Sequence, residues 1–302
     1  MPSGILLLDK PRGLSSNAAL QRVKHAFGAG KAGHVGSLDP LATGMLPICL
    51  DEATKIAGEI LAGRKRYEFT VALGSRTATG DTEGEVVETA PVPELDTARI
   101  EAVLESLTGV QQQVPPMFSA LKQAGQPLYA LARRGVEVER AAREVTIHAL
   151  ALAGRREGAI DLAVECSKGT YVRTLAEDLA RALGTVGHVS RLHRAWVEPF
   201  AGEPMWPLEP VLAACRAGTP PPLLPIDRGI PDRPALVLSS GNVARVRQGQ
   251  TLGAADLARD TDAATVLPPG TVVLLRDGAG PLVGLGEISA FGGLRPRRIF
   301  NL

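Results

Sequence analysis

Residues 28–44 read GAGKAGHVGSLDPLATG, and the first six of them, Gly28 to Gly33, spell Gly-x-Gly-x-x-Gly. A dinucleotide-binding loop of that pattern needs a strand feeding its first glycine and a helix opening at its last, because the helix N-terminus holds the pyrophosphate. Both flanks differ here. Ser15-Ser16-Asn17 offers helix caps, and Ala19, Leu20, Val23, Ala26 and Phe27 recur at helical spacing until Gly28 stops the pattern. Pro40 and Pro47 interrupt any helix after Gly33. The glycines thus follow a helix, and a doubly wound nucleotide-binding fold is set aside. What the stretch does present is an aspartate bracketed by Gly36 and Gly44. Pro40 drives Asp39 toward extended backbone, while the glycines permit sharp turns or close approach on either side. Such a segment fixes a carboxylate on a rigid turn.

Working outward, Ile5 to Leu8 is an apolar run closed by Lys10-Pro11 and predicts a buried strand. Alternation predicts strands over 67–73 and 160–166, and helical spacing predicts helices over 97–108 and 171–183, the latter closed by Gly184. Strands and helices mix without a regular strand-helix repeat, which predicts an α+β fold with a mixed, largely antiparallel sheet. The proline-dense stretch 219–234 reads as an interdomain linker. It divides a domain of residues 1–218 from a small β-rich domain at 235–302. There, a helix over 241–247 and strands over 271–275, 282–288 and 298–300 are expected.

The chain has 302 residues, enough for a sizeable core without a disulfide scaffold, and its three cysteines form no Cys-x-x-Cys pair. The apolar run near the N-terminus is too short for a signal peptide or a membrane span, so a soluble cytoplasmic protein is expected. Net charge is +1, from 33 basic and 32 acidic residues, so any nucleic-acid surface must come from local clusters. Those are Lys10/Arg12, Arg64-Lys65-Arg66, Arg133-Arg134, and Arg295 with Arg297-Arg298. His188 and His193, with no cysteine near, read as a structural or RNA-facing pair rather than a metal site.

The segment His34-Val-Gly-Ser-Leu-Asp39-Pro-Leu-Ala-Thr-Gly-Met-Leu-Pro47 resembles the active-site motif of the TruB family, bacterial synthases that make pseudouridine at position 55 of the tRNA T-loop. Four further blocks resemble the same family in order: Leu7 to Ser16, Lys65-Arg66-Tyr67, Val114 to Lys122 with Leu128 to Gly135, and Cys166 to Arg173. Residues 284–288 and 294–300 resemble a PUA domain, an RNA-binding module. Val35, Phe118 and Gln126-Pro127 depart from the usual family residues.

The resemblance implies a pseudouridine synthase fold with an RNA-clasping insertion at about 111–140. It implies Asp39 as nucleophile, oriented and paired by Arg173, a neighbour that lowers a carboxylate pKa. Tyr67 would stack on a flipped uracil, its phenol available to help move the carbon-5 proton. Tyr171 and Leu192 would wall the pocket, and His34 would fill the space the nucleotide vacates. Lys10, Lys31, Arg64, Lys65, Arg66, Arg133 and Arg134 would meet phosphates, and Arg295, Arg297 and Arg298 the acceptor end. The implied partner is tRNA, met at its T-loop and acceptor stem. No cofactor, metal, membrane or obligate protein partner is implied, and a monomer is expected. A guide-RNA-dependent synthase shares the core, but such proteins usually carry extra terminal segments, whereas this chain starts four residues before its first motif. A stand-alone enzyme is therefore expected over that reading and over a non-catalytic RNA-folding module.

Overall fold

The computed structural model describes residues 2–119, 121–123, 125–260, 267–278 and 280–302. Ala120 and Ala124 of the expected clasping insertion, and residues 261–266 and 279 of the C-terminal part, lie outside them.

The strands are β1 (Gly4–Lys10), β2 (Ala32–His34), β3 (Thr43–Leu50), β4 (Lys65–Leu73), β5 (Ser75–Thr77), β6 (Val86–Thr89), β7 (Gly109–Gln113), β8 (Lys122–Gln123), β9 (Gln126–Pro127), β10 (Arg143–Arg156), β11 (Ala159–Cys166), β12 (Gly187–Val197), β13 (Trp206–Pro207), β14 (Ala235–Leu238), β15 (Val272–Asp277), β16 (Leu282–Ile288) and β17 (Leu294–Ile299). The helices are α1 (Ser16–Ala26), α2 (Ala57–Ala62), α3 (Thr97–Ser106), α4 (Leu128–Ala132), α5 (Val172–Ala182), α6 (Leu208–Arg216), α7 (Ser240–Arg247) and α8 (Ala254–Leu257).

Nine strands form the central sheet, in the order β13-β1-β3-β12-β4-β11-β10-β7 with β2 added on β3. Its pairings are antiparallel except β1 with β13 and β12 with β3. The mixed, largely antiparallel α+β expectation therefore holds. A second sheet, β14-β15-β16-β17, holds the C-terminal part.

The apolar run at the N-terminus is explained by burial on both faces. Leu6 and Leu8 enter one core cluster with Leu46, Phe69, Leu162 and Leu175, while Ile5 and Leu7 enter another with Met45, Val197 and Phe200. That second cluster also contains Leu274 and Leu285 of the C-terminal sheet and Phe300, which follows its last strand. The proline-rich stretch runs beside β1, where Leu224 and Ile5 exchange two 2.9 Å backbone hydrogen bonds and Ile226 and Ile230 are buried. Here the prolines direct the chain along the core.

Local chemistry sets the element ends. Ser15 caps α1 by accepting from the Ala18 N–H at 3.1 Å, and Gly28, at φ 61°, ends it. The Gly-x-Gly-x-x-Gly thus lies in a helix-turn-strand order, from α1 into β2. Strand β3 was hidden by Pro47. The Val35 N–H donates to the Pro47 carbonyl at 2.9 Å, which places the missing proline N–H on that same side, between the segments of β3 that pair with β12 and with β2.

Candidate active site

Asp39 sits on the loop between β2 and β3, and the first sequence block holds that loop. Ser16 Oγ donates to the Leu38 carbonyl at 2.9 Å and accepts from the Leu38 N–H at 2.7 Å. The Gly13 N–H donates to the Pro40 carbonyl at 2.7 Å, and the Ala42 N–H to the Asp39 carbonyl at 3.0 Å. Lys10 Nζ donates to the Pro11 and Leu14 carbonyls at 2.9 and 2.7 Å, which secures the turn that delivers Ser16.

Arg173 begins α5 and reaches across to this loop. Its Nε lies 2.9 Å from Asp39 Oδ2 and 3.8 Å from Asp81 Oδ2. Its Nη1 donates to the Thr79 carbonyl at 2.6 Å and its Nη2 to the Phe118 carbonyl at 2.7 Å. The Arg173 side chain is 5 % exposed whereas that of Asp39 is 39 % exposed, so the arginine is fixed beneath a carboxylate that opens outward. Asp81 is itself held by Thr79 Oγ1 at 2.6 Å and the Glu83 N–H at 3.0 Å. Loss of solvent raises the Asp39 pKa above its ordinary value; Arg173 and Lys10 oppose the rise, and Asp81 adds to it. The expected pairing is present, but the expected downward shift is reversed, because desolvation outweighs the guanidinium.

Asp39, Tyr67, Tyr171, Arg173 and Leu192 line one cavity of about 610 Å³. That volume falls in the range of small-ligand pockets. Tyr67 on β4 and Leu192 on β12, two strands paired in the central sheet, are buried at 8 % and 6 % exposure. Burial raises the Tyr67 phenol pKa, so it stays protonated at neutral pH. Tyr171 precedes α5 without a side-chain cap; Gln113 of β7 serves its backbone instead, accepting from the Tyr171 N–H at 3.0 Å and donating to its carbonyl at 3.3 Å. His34 is half-buried and does not line this cavity, and desolvation lowers its pKa.

The basic clusters divide. Lys31, Arg64, Arg133, Arg134, Arg295, Arg297 and Arg298 are exposed, and Arg66 is half-buried. Arg64 and Arg66 pair with Glu198 and Glu165 at 3.0 and 2.9 Å, and Arg297 with Glu287 at 3.4 Å. Arg133 lies over the Tyr129 ring at 5.7 Å, and Arg134 donates to Gln126 Oε1 at 2.8 Å. Lys10 and Lys65 correct the phosphate expectation. They are buried, at 0 % and 4 % exposure, and Lys65 Nζ donates to the Leu61 and Gly63 carbonyls. Burial lowers both pKa values to about 8. Neither ammonium group faces outward to meet a phosphate.

His188 Nδ1 meets the Ser75 carbonyl at 2.8 Å and His193 Nδ1 the Thr43 hydroxyl at 2.9 Å, so each histidine fastens a separate segment. No three metal-ligating side chains converge among the described residues. Two charged groups at the site escaped sequence reading, Asp81 and Arg194. Gly80 and Gly84 marked a turn around Asp81, but only the fold brings that turn onto Arg173.

The backbone forbids a side chain at Gly44. At φ 99°, an added Cβ would stand 2.3 Å from the Arg194 carbonyl oxygen. Gly44→Ala is expected to destabilise the protein by about 3 kcal/mol, combining backbone strain with a clash against a sheet neighbour. A urea unfolding midpoint unchanged from wild type would refute that account of the glycine.

The chain resembles known proteins in sequence and in fold. Residues 24–172 match the TruB family pseudouridylate synthase N-terminal domain, 173–228 a tRNA pseudouridylate synthase B C-terminal domain, and 234–300 the pseudouridine synthase II TruB C-terminal domain. The chain is 46 % identical over 300 residues to a tRNA pseudouridine synthase B of Xanthomonas euvesicatoria pv. vesicatoria, covering 99 % of this chain and 94 % of that protein. It is 47 % identical to the one of Sodalis glossinidius, with coverage of 98 % and 94 %. Among solved structures, a chain of an H/ACA RNP bound to a substrate RNA containing 2'-deoxyuridine superposes at a TM-score of 0.72 and 19 % identity, covering 100 % of this chain and 86 % of that one. This last likeness speaks to the fold alone. With three family domains in sequence and near half-identity along almost its whole length, the chain belongs to the TruB family of pseudouridylate synthases.

Proposed function

We propose that this chain isomerises uridine 55 of the tRNA T-loop to pseudouridine, acting in the cytoplasm as a monomer without cofactor or obligate protein partner. The observation that carries the reading is the 2.9 Å Arg173–Asp39 pair at an open cavity that also holds Tyr67 and Leu192. The catalytic part is residues 1–218, with a clasping insertion at 111–140, and residues 235–302 form an RNA-binding part.

The uridine swings out of the T-loop and its base stacks on Tyr67, against Leu192 and Tyr171. The Asp39 carboxylate forms a bond to sugar carbon 1′ as the bond to base N1 breaks, with the electron pair leaving on uracil. The base turns within the pocket, its carbon 5 bonds to carbon 1′, and the carboxylate departs. Carbon 5 loses its proton and N1 gains one. Atoms and electrons balance, so the reaction consumes no co-reactant. Tyr67, Tyr171 and Leu192, which line the cavity, hold the freed base for its return. Lys31 and the exposed arginines position the RNA through phosphates.

Only ionised Asp39 can act as nucleophile, and its pKa is raised by desolvation. The acid limb of the single-turnover pH profile is therefore expected above the ordinary carboxylate range, with rate lost as pH falls through that raised value. A limb at or below the ordinary value would separate Asp39 from the rate. Incubating the purified chain alone with an unmodified tRNA transcript, with position-resolved mapping of pseudouridine, tests the activity. Modification at position 55 is expected. Modification only after guide RNA and partner proteins are added would favour the guide-dependent reading.

A further inference from the structure

One buried cation at the site is used by none of these steps. Arg194 of β12 is 1 % exposed and ranks among the largest fully buried side chains. No carboxylate pairs with it among the described residues. Its guanidinium is spent on carbonyls of the segments that flank Asp39. Nε donates to the Met45 carbonyl at 2.7 Å, and Nη2 to the Gly36 and Val35 carbonyls at 2.9 and 3.4 Å. In register, Arg194 stands between Gly44 of β3 and Tyr67 of β4. The Arg194 charge also opposes the upward push of burial on the Tyr67 phenol.

The two glycines bracketing the Asp39 loop meet this same residue. A Cβ on Gly36 would stand 3.2 Å from Arg194 Nη1, and one on Gly44 would strike the Arg194 backbone. The loop closes around Arg194 at both ends. An unpaired buried cation is costly, and among the described residues its side-chain hydrogen bonds go to carbonyls of the segments that flank Asp39. Lysine could not copy this, because one planar fork spans three carbonyls that a single ammonium cannot reach together.

We infer that Arg194 is a positioning residue that sets the nucleophile loop and the base-stacking Tyr67 in register with each other. The inference rests on the proposed roles of Asp39 and Tyr67. It follows that Arg194 governs the rate of the chemical step far more than RNA affinity, since it borders the cavity of Asp39 and Tyr67 with only 1 % of its surface exposed and its guanidinium tied to backbone carbonyls.

The test compares wild type, Arg194→Lys, Arg194→Met and Arg194→Ala by urea unfolding, tRNA affinity and single-turnover pseudouridine formation. Arg194→Lys and Arg194→Met are expected to bind tRNA within about threefold of wild type and to react about 100-fold more slowly, the cost of misplacing a reacting group by about 1 Å. Millimolar guanidinium is expected to restore Arg194→Ala by about tenfold or more, and methylammonium is not, because only a planar donor fork spans these carbonyls. An Arg194→Lys rate within threefold of wild type, or a loss carried by tRNA affinity, overturns the inference. Should the Arg194 variants fail to fold, Gly36→Ala decides, since its methyl presses on Nη1 with the cation in place. It is expected to slow the reaction by about tenfold at unchanged tRNA affinity, and an unchanged rate overturns the inference. A wild-type protein inactive on tRNA would instead defeat the proposed function, which keeps the two failures distinct.

Discussion

Asp39→Asn is expected to lower pseudouridine formation by on the order of 10⁴-fold or more, as removal of an enzymatic nucleophile does, while tRNA affinity stays within about threefold of wild type. Asparagine keeps the size of the side chain and an oxygen for Arg173 Nε, which now stands 2.9 Å from Asp39 Oδ2. The loop is held by Ser16, Gly13 and Ala42 through backbone groups that the substitution leaves untouched. What disappears is the negative charge that the proposed nucleophilic step requires. Titrating the variant with labelled tRNA and following single-turnover product separates the two quantities. Turnover near wild type would remove Asp39 from the chemistry.

Arg173→Met is expected to act on stability and rate together. The guanidinium is the only cation that ion-pairs with Asp39 and Asp81 among the described residues, and it also serves the Thr79 and Phe118 carbonyls. Removing one member of a buried charged network leaves the others desolvated and unpaired, which costs about 3–5 kcal/mol. Without the cation, the pKa of Asp39 climbs further, because Arg173 is the largest influence opposing desolvation. At neutral pH the rate is expected to fall by about 100-fold or more, with partial recovery as pH rises and Asp39 ionises. A urea melt and a pH–rate profile on the same preparation check both halves. A rate loss that is flat with pH would contradict the electrostatic role given to Arg173.

Much of this site could be read before the fold was known, because its parts are marked by residues with narrow backbone or chemical habits. The Ser15 cap, the glycine stop at Gly28, the Asp39-Pro40 pair and the alternation over β4 and β11 each act within a few residues. The fold class follows from them once the Gly-x-Gly-x-x-Gly is seen to trail a helix. Strand β3 stayed hidden because Pro47 signals a break, and only its neighbours reveal that the missing N–H faces a gap. Charge was the least legible property. Lys10 and Lys65 look like RNA-facing cations beside arginines, yet the sheet turns both inward onto carbonyls. Asp81 and Arg194 gain their meaning from partners far along the chain, at Arg173 and at the Gly36–Met45 segment. The direction of the Asp39 shift is hidden for the same reason, since sequence names its cationic partner and conceals the loss of water around it.

The bracketing glycines at 36 and 44 also acquire a cause. Their spacing suggested freedom to turn, and the structure adds close approach to a single buried residue, Arg194. The rigidity of the Asp39 turn therefore comes from contacts on both sides, Ser16 in front and Arg194 behind.

The central claim, that Asp39 of this chain converts uridine 55 of tRNA, is tested most directly by mapping pseudouridine in tRNA from cells that lack the gene and carry either the wild-type chain or Asp39→Asn. Pseudouridine is expected at position 55 with the wild-type chain and unmodified uridine there with the variant, other positions being equal in both. Pseudouridine at position 55 in cells carrying only the variant would contradict it.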